Sequence, residues 1–368
     1  MSNIIVAEQL KIESMYNTLD CDTRYPFPST RFQGSKNKIV DWIWENIEHL
    51  KFNTALDAFG GTGSVAHLLK RKGKQVVYND ILKFNFVIGK ALIENNEVTL
   101  ERDDIEYIIT KHKGTIYPTF IQDTFKEIFY LDEENVWLDM VITNIRNLKN
   151  EYKQAIAWFA LFQSCIIKRP YNLFHRANLY VRTSNVTRSF GNKATWDTPF
   201  ENHFLKFVEE ANKAVFYNGT ECLSTNSNSL KLSETNNFDL VYIDTPYISI
   251  KGVGTDYLDF YHFLEGMLDY DNWGHRVLNK YKHLPIMGKG ENAWNKKGEI
   301  FKAFDSLFYK FRNSILVVSY RSDGIPSVKE MIELLGKYKN VVVEVQSKDY
   351  KYALAHGKTT KEVLLIAQ

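Results

Sequence analysis

Cysteine is almost missing from this chain. Its 368 residues include only Cys21, Cys165 and Cys222, far apart and without paired spacing. That excludes a disulfide framework or a zinc knuckle and suits a reducing cytoplasm. Long apolar runs are missing too. The longest, Ala155 to Ile167, is interrupted by Gln163 and Ser164. It is too short to span a bilayer and reads as a buried helix, so no membrane partner is expected. The opening Met1-Ser2-Asn3-Ile4-Ile5-Val6-Ala7-Glu8 lacks the basic region and long apolar core of a signal peptide. Net charge is only +2, which excludes a polycation, so any nucleic-acid surface must be local. No internal repeat or low-complexity tract is present. What remains is a globular composition, 44% hydrophobic and 24% charged, at a length that implies one large or two unequal domains.

The most informative stretch is Phe238-Asp239-Leu240-Val241-Tyr242-Ile243-Asp244-Thr245-Pro246-Tyr247. The apolar, partly β-branched run predicts a buried strand ending at Asp244. Ligands of open α/β sheets bind beyond the carboxyl ends of the strands, where this turn falls. Pro246 biases Thr245 toward an extended backbone, which sets the Thr245 carbonyl beside the Asp244 carboxylate. Two such acceptors suit the two N–H donors of an exocyclic amine, and the Tyr247 ring suits stacking on a base. The competing reading is a tight turn whose aspartate caps the next segment.

A second anchor lies upstream. Thr54-Ala55-Leu56-Asp57 reads as a strand, Ala58-Phe59-Gly60-Gly61-Thr62-Gly63-Ser64 as a glycine-rich turn, Val65 onward as a helix stopped by Gly73, and Gln75 to Asn79 as a second strand followed by Asp80. In this βαβ half-unit the glycines allow close backbone approach, and an acid at Asp80 suits the ribose hydroxyls of a nucleoside cofactor. Gly61-Thr62-Gly63-Ser64-Val65-Ala66 also matches the dinucleotide pattern. However, Asp57 directly precedes the turn, where it repels a pyrophosphate and attracts the cationic methionine portion of S-adenosylmethionine. That favours S-adenosylmethionine over a nicotinamide cofactor.

Before this unit, Thr30-Arg31-Phe32-Gln33-Gly34-Ser35-Lys36 leads into a helix with Ile39, Ile43 and Ile47 at helical spacing. Lys36 beside that helix N-terminus suggests an anion site, or simply a capped surface helix. Further on, helices are predicted over 84–140, 201–214, 297–312 and 328–338. Strands are predicted at 214–217 and 314–319, with an antiparallel closing pair at 340–345 and 361–367. The polar loop after the 214–217 strand places Asn226 or Asn228 near a cofactor's adenine. His262, in the aromatic segment from Tyr257, reads as packing, and 269–295 as irregular.

Charge reverses mid-chain. Glu101 to Met140 holds ten acids against four Lys/Arg, whereas Glu151 to Phe200 holds seven Lys/Arg against two acids. The basic residues Lys153, Lys168, Arg169, Arg176, Arg182, Arg188 and Lys193 are interleaved with aromatics and amides, a mixture suited to phosphate and base contacts; a solvated face is the competing reading. Lys251, in a glycine-punctuated loop after Tyr247, is a further candidate to contact a strand.

Taken in order, the motifs resemble those of the Dam-like, α-class N6-adenine-specific DNA methyltransferases. Arg31-Phe32-Gln33-Gly34-Ser35-Lys36 resembles the family's N-terminal cofactor motif, Asp57-Ala58-Phe59-Gly60-Gly61-Thr62-Gly63 with Asp80 its cofactor loop and ribose acid, and Asp244-Thr245-Pro246-Tyr247 its catalytic Asp-Pro-Pro-Tyr. The resemblance implies a Rossmann-like α/β methyltransferase sheet, residues 25–100 and 212–368, interrupted by a mainly helical target-recognition insert at 101–211. It implies cofactor contacts from Arg31, Phe32, Gly34, Lys36, Asp57, Phe59, Gly60, Gly61, Gly63, Asp80 and Asn228, and catalysis by Asp244, Thr245, Pro246 and Tyr247. It also implies double-stranded DNA contacts from Lys168, Arg169, Arg176, Arg182, Arg188, Lys193 and Lys251, no metal, and the setting of a restriction–modification system with a cognate endonuclease. Thr245 departs from the family's first proline but keeps the backbone carbonyl. N4-cytosine or RNA amino-group methylation, a nucleotide-binding oxidoreductase and a non-catalytic DNA-binding protein are the alternatives.

Overall fold

The computed structural model describes residues 24–186, 193–233, 237–249, 252, 254–288, 292–346 and 361–368. The strands are β1 Thr54–Asp57, β2 Gln75–Asn79, β3 Leu223–Thr225, β4 Leu240–Ile243, β5 Ile248–Ser249, β6 Ile315–Arg321, β7 Gly324–Ile325, β8 Val342–Gln346 and β9 Glu362–Ala367. Seven form one mixed sheet in the order β3-β2-β1-β4-β6-β9-β8, while β5 and β7 pair separately. From β3 to β6 all neighbours are parallel. β9 runs antiparallel to β6 and β8 antiparallel to β9, which is the closing pair expected from the sequence. Strand order reverses between β1 and β4, the switch point at which α/β sheets bind ligands.

Alternation along the strands explains how the sheet is covered. Ala55, Val76, Tyr78, Leu240, Tyr242, Val317, Leu364 and Ile366 belong to one buried cluster. Leu56, Val241, Ile243, Leu316, Val318, Val363 and Leu365 belong to another. Neighbouring residues of one strand thus face opposite sides, each packed under helices, as in other sheets with parallel strands at the centre. The helices used below are α1 Val40–Ile47, α2 Ser64–Arg71, α3 Lys83–Gly89, α4 Asp132–Asn147, α5 Glu151–Ile167, α6 Phe200–Ala214, α7 Tyr257–Met267, α8 Ile300–Lys310 and α9 Val328–Leu335. Helix α9 starts with a reciprocal cap: Ser327 Oγ accepts the Glu330 N–H at 3.3 Å, and Glu330 accepts the Ser327 N–H at 2.7 Å.

One expectation changes. Residues 215–217 do not join the sheet. Val215 and Phe216 are buried, with the Phe216 ring stacked 4.6 Å from Tyr25, so side-chain packing takes the place of a strand ladder. The edge strand is the short β3 instead. The helical stretch between β2 and β3 packs on the sheet: Phe159 of α5 and Phe204 of α6 lie in the same buried cluster as Ala55 and Val76. Cys165 and Cys222 are buried free thiols. Among the described residues no helix is long and apolar enough to cross a membrane, and no group of side chains could hold a metal ion.

Candidate active site

Three acids converge at the carboxyl edge of the sheet. Asp57 closes β1 and is in register with Tyr78 of β2 and Tyr242 of β4. Asp80 and Asp244 lie two residues beyond those partners, just outside the edge. Together they line a cavity of about 1270 Å³ that also takes in Phe32, Gly34, Lys36, Phe59, Gly60, Gly61, Asn228 and Pro246.

The glycine turn is held against β2. Gly60 donates to Asn79 O at 2.8 Å, and Gly61 donates to Asp80 Oδ2 at 2.9 Å. A Cβ on Gly60 would fall 2.0 Å from the buried Tyr78 ring, whose hydroxyl donates to Gly61 O at 2.7 Å. Gly61 and Gly63 have φ of +53° and +78°, conformations that favour glycine. Leu82 N–H also donates to Asp80, at 2.8 Å. Burial raises the Asp80 pKa, and these amides oppose the shift.

Asp57 is the most strained in charge. It is buried, and its Oδ1 has no hydrogen-bond partner among the described residues. Burial, then Asp244 and Asp80, push its pKa up to about 8, against the backbone amides of Phe59 and Ala66. An unpartnered carboxylate oxygen at the wall of a glycine-lined cavity fits a cationic ligand group and disfavours a pyrophosphate.

Lys36 answers the third acid. Its Nζ lies 2.9 Å from both Asp244 oxygens, donates to the Tyr247 hydroxyl at 2.9 Å and stands 3.6 Å from buried Glu362 of β9. Tyr247 donates to Asp244 Oδ1 at 2.6 Å, and Ser319 of β6 donates to Glu362 at 2.5 Å. The anion site expected at Lys36 is therefore turned inward onto the protein's own acids. The Tyr247 ring is buried at 7% exposure, edge-on to Tyr320 at 5.7 Å. At this turn Asp244 and Pro246 form the cavity wall, so the free stacking face expected of Tyr247 is packed away in this arrangement. Thr245 is buried, and its Oγ1 has no partner.

The other expected cofactor residues divide. Phe32 lines the cavity and stacks on Tyr261 at 4.4 Å, while Phe59 meets Trp294 edge-on at 5.0 Å. Gly34, with φ +86°, leaves room for the Tyr257 hydroxyl, which a Cβ would meet at 2.6 Å. Asn228 Oδ1 accepts Leu230 N–H at 3.0 Å, capping a short turn on the wall. Asn226 is occupied in holding Asp80 O and Ile81 O at 2.8 and 3.0 Å. Arg31 is exposed and does not belong to the wall. Sequence reasoning missed Asn79, which bridges Ala58 O and Ser227 O at 3.1 Å each. It also missed Glu265 of α7, buried on the wall, which accepts the Lys83 and Phe84 N–H groups of α3 at 3.1 Å. Neither lies in a recognisable motif.

Most correction falls on the expected DNA-contacting cations. Lys168 is buried, bonded to Trp196 O, Thr198 O and Glu134 at 2.8, 2.5 and 2.8 Å. Arg182 is buried and holds Glu134 with two bonds of 2.9 and 2.7 Å. Arg169, 1% exposed, donates to Leu173 O, Phe129 O, Arg176 O and Asn178. These three knit the helical region together and are withdrawn from any phosphate. Arg176 and Lys193 are exposed, Lys193 beside Asp197 at 2.7 Å. Arg188 and Lys251 lie outside the described residues.

With this geometry in hand, comparison with known families is direct. The model of the D12 class N6 adenine-specific DNA methyltransferases matches residues 32–333, from the Phe32 segment through β7 and into α9. The chain belongs to this family. Type II methyltransferase M2.HphI of Haemophilus parahaemolyticus is 28% identical over 317 residues, covering 84% of this chain and 88% of that protein. Modification methylase LlaI of Lactococcus lactis subsp. lactis is 23% identical, covering 91% and 54%. Type II methyltransferase M.FokI of Planomicrobium okeanokoites is 26% identical, covering 83% and 46%. The chain thus spans about half the length of the last two. As a D12-class enzyme it is a site-specific adenine methyltransferase of DNA.

Proposed function

We propose that the chain uses S-adenosylmethionine to methylate N6 of an adenine turned out of double-stranded DNA, as the modification partner of a cognate restriction endonuclease. The observation that carries the cofactor reading is Asp57, a buried acid with an unpartnered oxygen and a raised pKa beside a glycine turn. When bound, S-adenosylmethionine supplies a methyl group activated by a positively charged sulfur. Asp57 neutralises positive charge in the methionine portion, and Asp80 accepts from ribose hydroxyls.

At the other end of the cavity, the Asp244 carboxylate and the Thr245 carbonyl accept hydrogen bonds from the adenine N6–H groups. This concentrates electron density on nitrogen and fixes its lone pair; positioning and electrostatics do the work. With the cofactor bound, the N–C bond would form as the methyl's bond to sulfur breaks and leaves its electron pair on sulfur, and the N6 proton would pass to solvent. Lys36, touching both Asp244 oxygens, holds that carboxylate in place as an acceptor until the base arrives. Turning the base out costs a few kcal/mol, which contacts at the cavity offset. For Tyr247 to stack on it, the ring must exchange its bonds to Asp244 and Lys36 for the base.

The test is nucleoside analysis of unmethylated DNA incubated with enzyme and S-adenosylmethionine. N6-methyladenine is expected from the wild type and none from Asp244→Ala, with cofactor binding retained. Full methyl transfer by a folded Asp244→Ala would sink the catalytic assignment, and N4-methylcytosine would overturn the choice of base.

A further inference from the structure

With Lys168, Arg169 and Arg182 buried, the DNA surface must draw on other cations. One candidate is residues 276–288, which the sequence marked only as irregular. They form a hairpin. Val277 bridges Ile286 in antiparallel fashion, Leu278 N–H donates to Pro285 O at 2.8 Å, and Met287 N–H donates to Arg276 O at 2.8 Å. Its base is fixed: Arg276 pairs with Asp269 at 2.8 Å, Ile286 is buried in the main core, and His283 meets Asp259 at 3.4 Å. Its tip is open, with Asn279, Lys280, Tyr281 and Lys282 all exposed.

Two independent features give the hairpin a partner. The first is charge: no Asp or Glu occurs between Asp271 and Glu291, a stretch that includes Arg276, Lys280 and Lys282. The second is place: Leu278, Tyr281, His283 and Ile286 wall the same cavity as Asp244. A cationic tip at the mouth of the pocket that receives the base is positioned to meet the strand entering it. An exposed aromatic between two lysines matches the alternation of flat bases and phosphates along such a strand.

We propose that the 276–288 hairpin is a DNA-contacting element of this enzyme. Lys280 and Lys282 engage phosphates flanking the target adenine, and Tyr281 packs against a base at the cavity mouth. The proposal rests on the DNA-methylating function above. The stiff base makes the tip a fixed reader of position, so its loss affects DNA and spares the cofactor.

The experiment uses the full chain and a mixed-sequence duplex made by PCR, hence unmethylated. DNA binding is measured over a range of salt for wild type and for a Lys280→Ala/Lys282→Ala double variant, with S-adenosylmethionine affinity and thermal melting as controls. Each lost phosphate contact reduces the slope of log affinity against log salt by about 0.9, so the double variant is expected to fall by about 2. Cofactor affinity and melting should be unchanged, since the tip is exposed. Tyr281→Ala should raise the KM for DNA, while Tyr281→Phe should restore it. An unchanged slope in a double variant of an active wild type would overturn the proposal alone. A wild type that binds this duplex without methylating it would overturn the underlying function and leave the slope to decide on the hairpin. If Tyr281→Ala keeps the wild-type KM, the base contact is refuted.

Discussion

Replacing Asp57 by asparagine should make the empty enzyme more stable and a worse binder of its cofactor. In the folded chain the Asp57 pKa is raised from 3.8 to about 8, first by burial and then by Asp244 and Asp80. Below about pH 4 the acid is protonated in both folded and unfolded chains and has no effect. As pH rises further, the unfolded chain releases the proton and the folded chain keeps it, so stability falls. The loss levels off above the folded pKa, at a ceiling of about 6 kcal/mol. Asparagine removes this slope but leaves a polar group buried, which costs roughly 1–3 kcal/mol. The net gain at pH 8.5 is then about 3–5 kcal/mol, or a melting temperature about 4–6 °C higher for a chain of this size. Calorimetry of both proteins without cofactor, at pH 5 and pH 8.5, should show the gain only at the higher pH. Titration with S-adenosylmethionine should show the reverse. A cation reaching the unpartnered Oδ1 drives Asp57 to ionise, so near neutral pH the wild type should release close to one more proton on binding than the variant. Affinity should fall about 10–100-fold in Asp57→Asn, the value of a lost charge-assisted contact. If the variant melts no higher than wild type at pH 8.5, or binds the cofactor equally well, the account of Asp57 is refuted.

Gly60→Ala places a methyl group 2.0 Å from a carbon of the buried Tyr78 ring. Overpacking of this kind costs about 1–3 kcal/mol, and melting should fall together with cofactor affinity. Gly298→Ala, with open space around it, is the control expected to change neither. Glu134→Ala strands buried Lys168 and Arg182, and the removal of one partner from such a group costs about 3–5 kcal/mol, readable by denaturant titration. Burial works to raise the Glu134 pKa, but its bonds to Arg182 and Lys168 outweigh this and hold it below the usual 4.5. Wild type should therefore keep this stabilisation above about pH 4.5 and lose it in acid, whereas Glu134→Ala should show less acid sensitivity.

What the sequence disclosed, and what it hid, follows from range. The β1 turn, Asp80 and the Asp244 turn were legible because local spacing encodes them: a strand's apolar run, glycines where φ is positive, and an acid just past the strand end. The closing β8–β9 pair was legible for the same reason. The direction of a long cationic side chain is not local. Lys168 and Arg182 looked like surface charge because their counterion, Glu134, stands 34 and 48 residues away in sequence. Lys36 looked like an anion site because Asp244 and Glu362 are still more remote. The segment at 215–217 has the composition of a strand, but the Tyr25 and His67 rings meet Phe216 and tertiary packing prevails. The 276–288 hairpin has a single bridge and a proline in one arm, so no period of two announces it.

The fold itself creates the demand for a cation. Parallel strands that end together bring Asp57, Asp80 and Asp244 to one edge, and one buried lysine cannot neutralise three acids. Lys36 is committed to Asp244 and shares its reach with Glu362, while burial first of all holds Asp57 and Asp80 at raised pKa values. Backbone amides from the glycine turn and from Leu82 relieve Asp80. The Phe59 and Ala66 amides act on the Asp57 carboxyl, but among the described residues none reaches its Oδ1. The acid with an unpartnered oxygen therefore lies at the glycine end of the cavity, and the ion-paired acceptor lies at the Asp244 end. A ligand with a positive charge is drawn to the first, and a neutral amine needing an acceptor is served by the second.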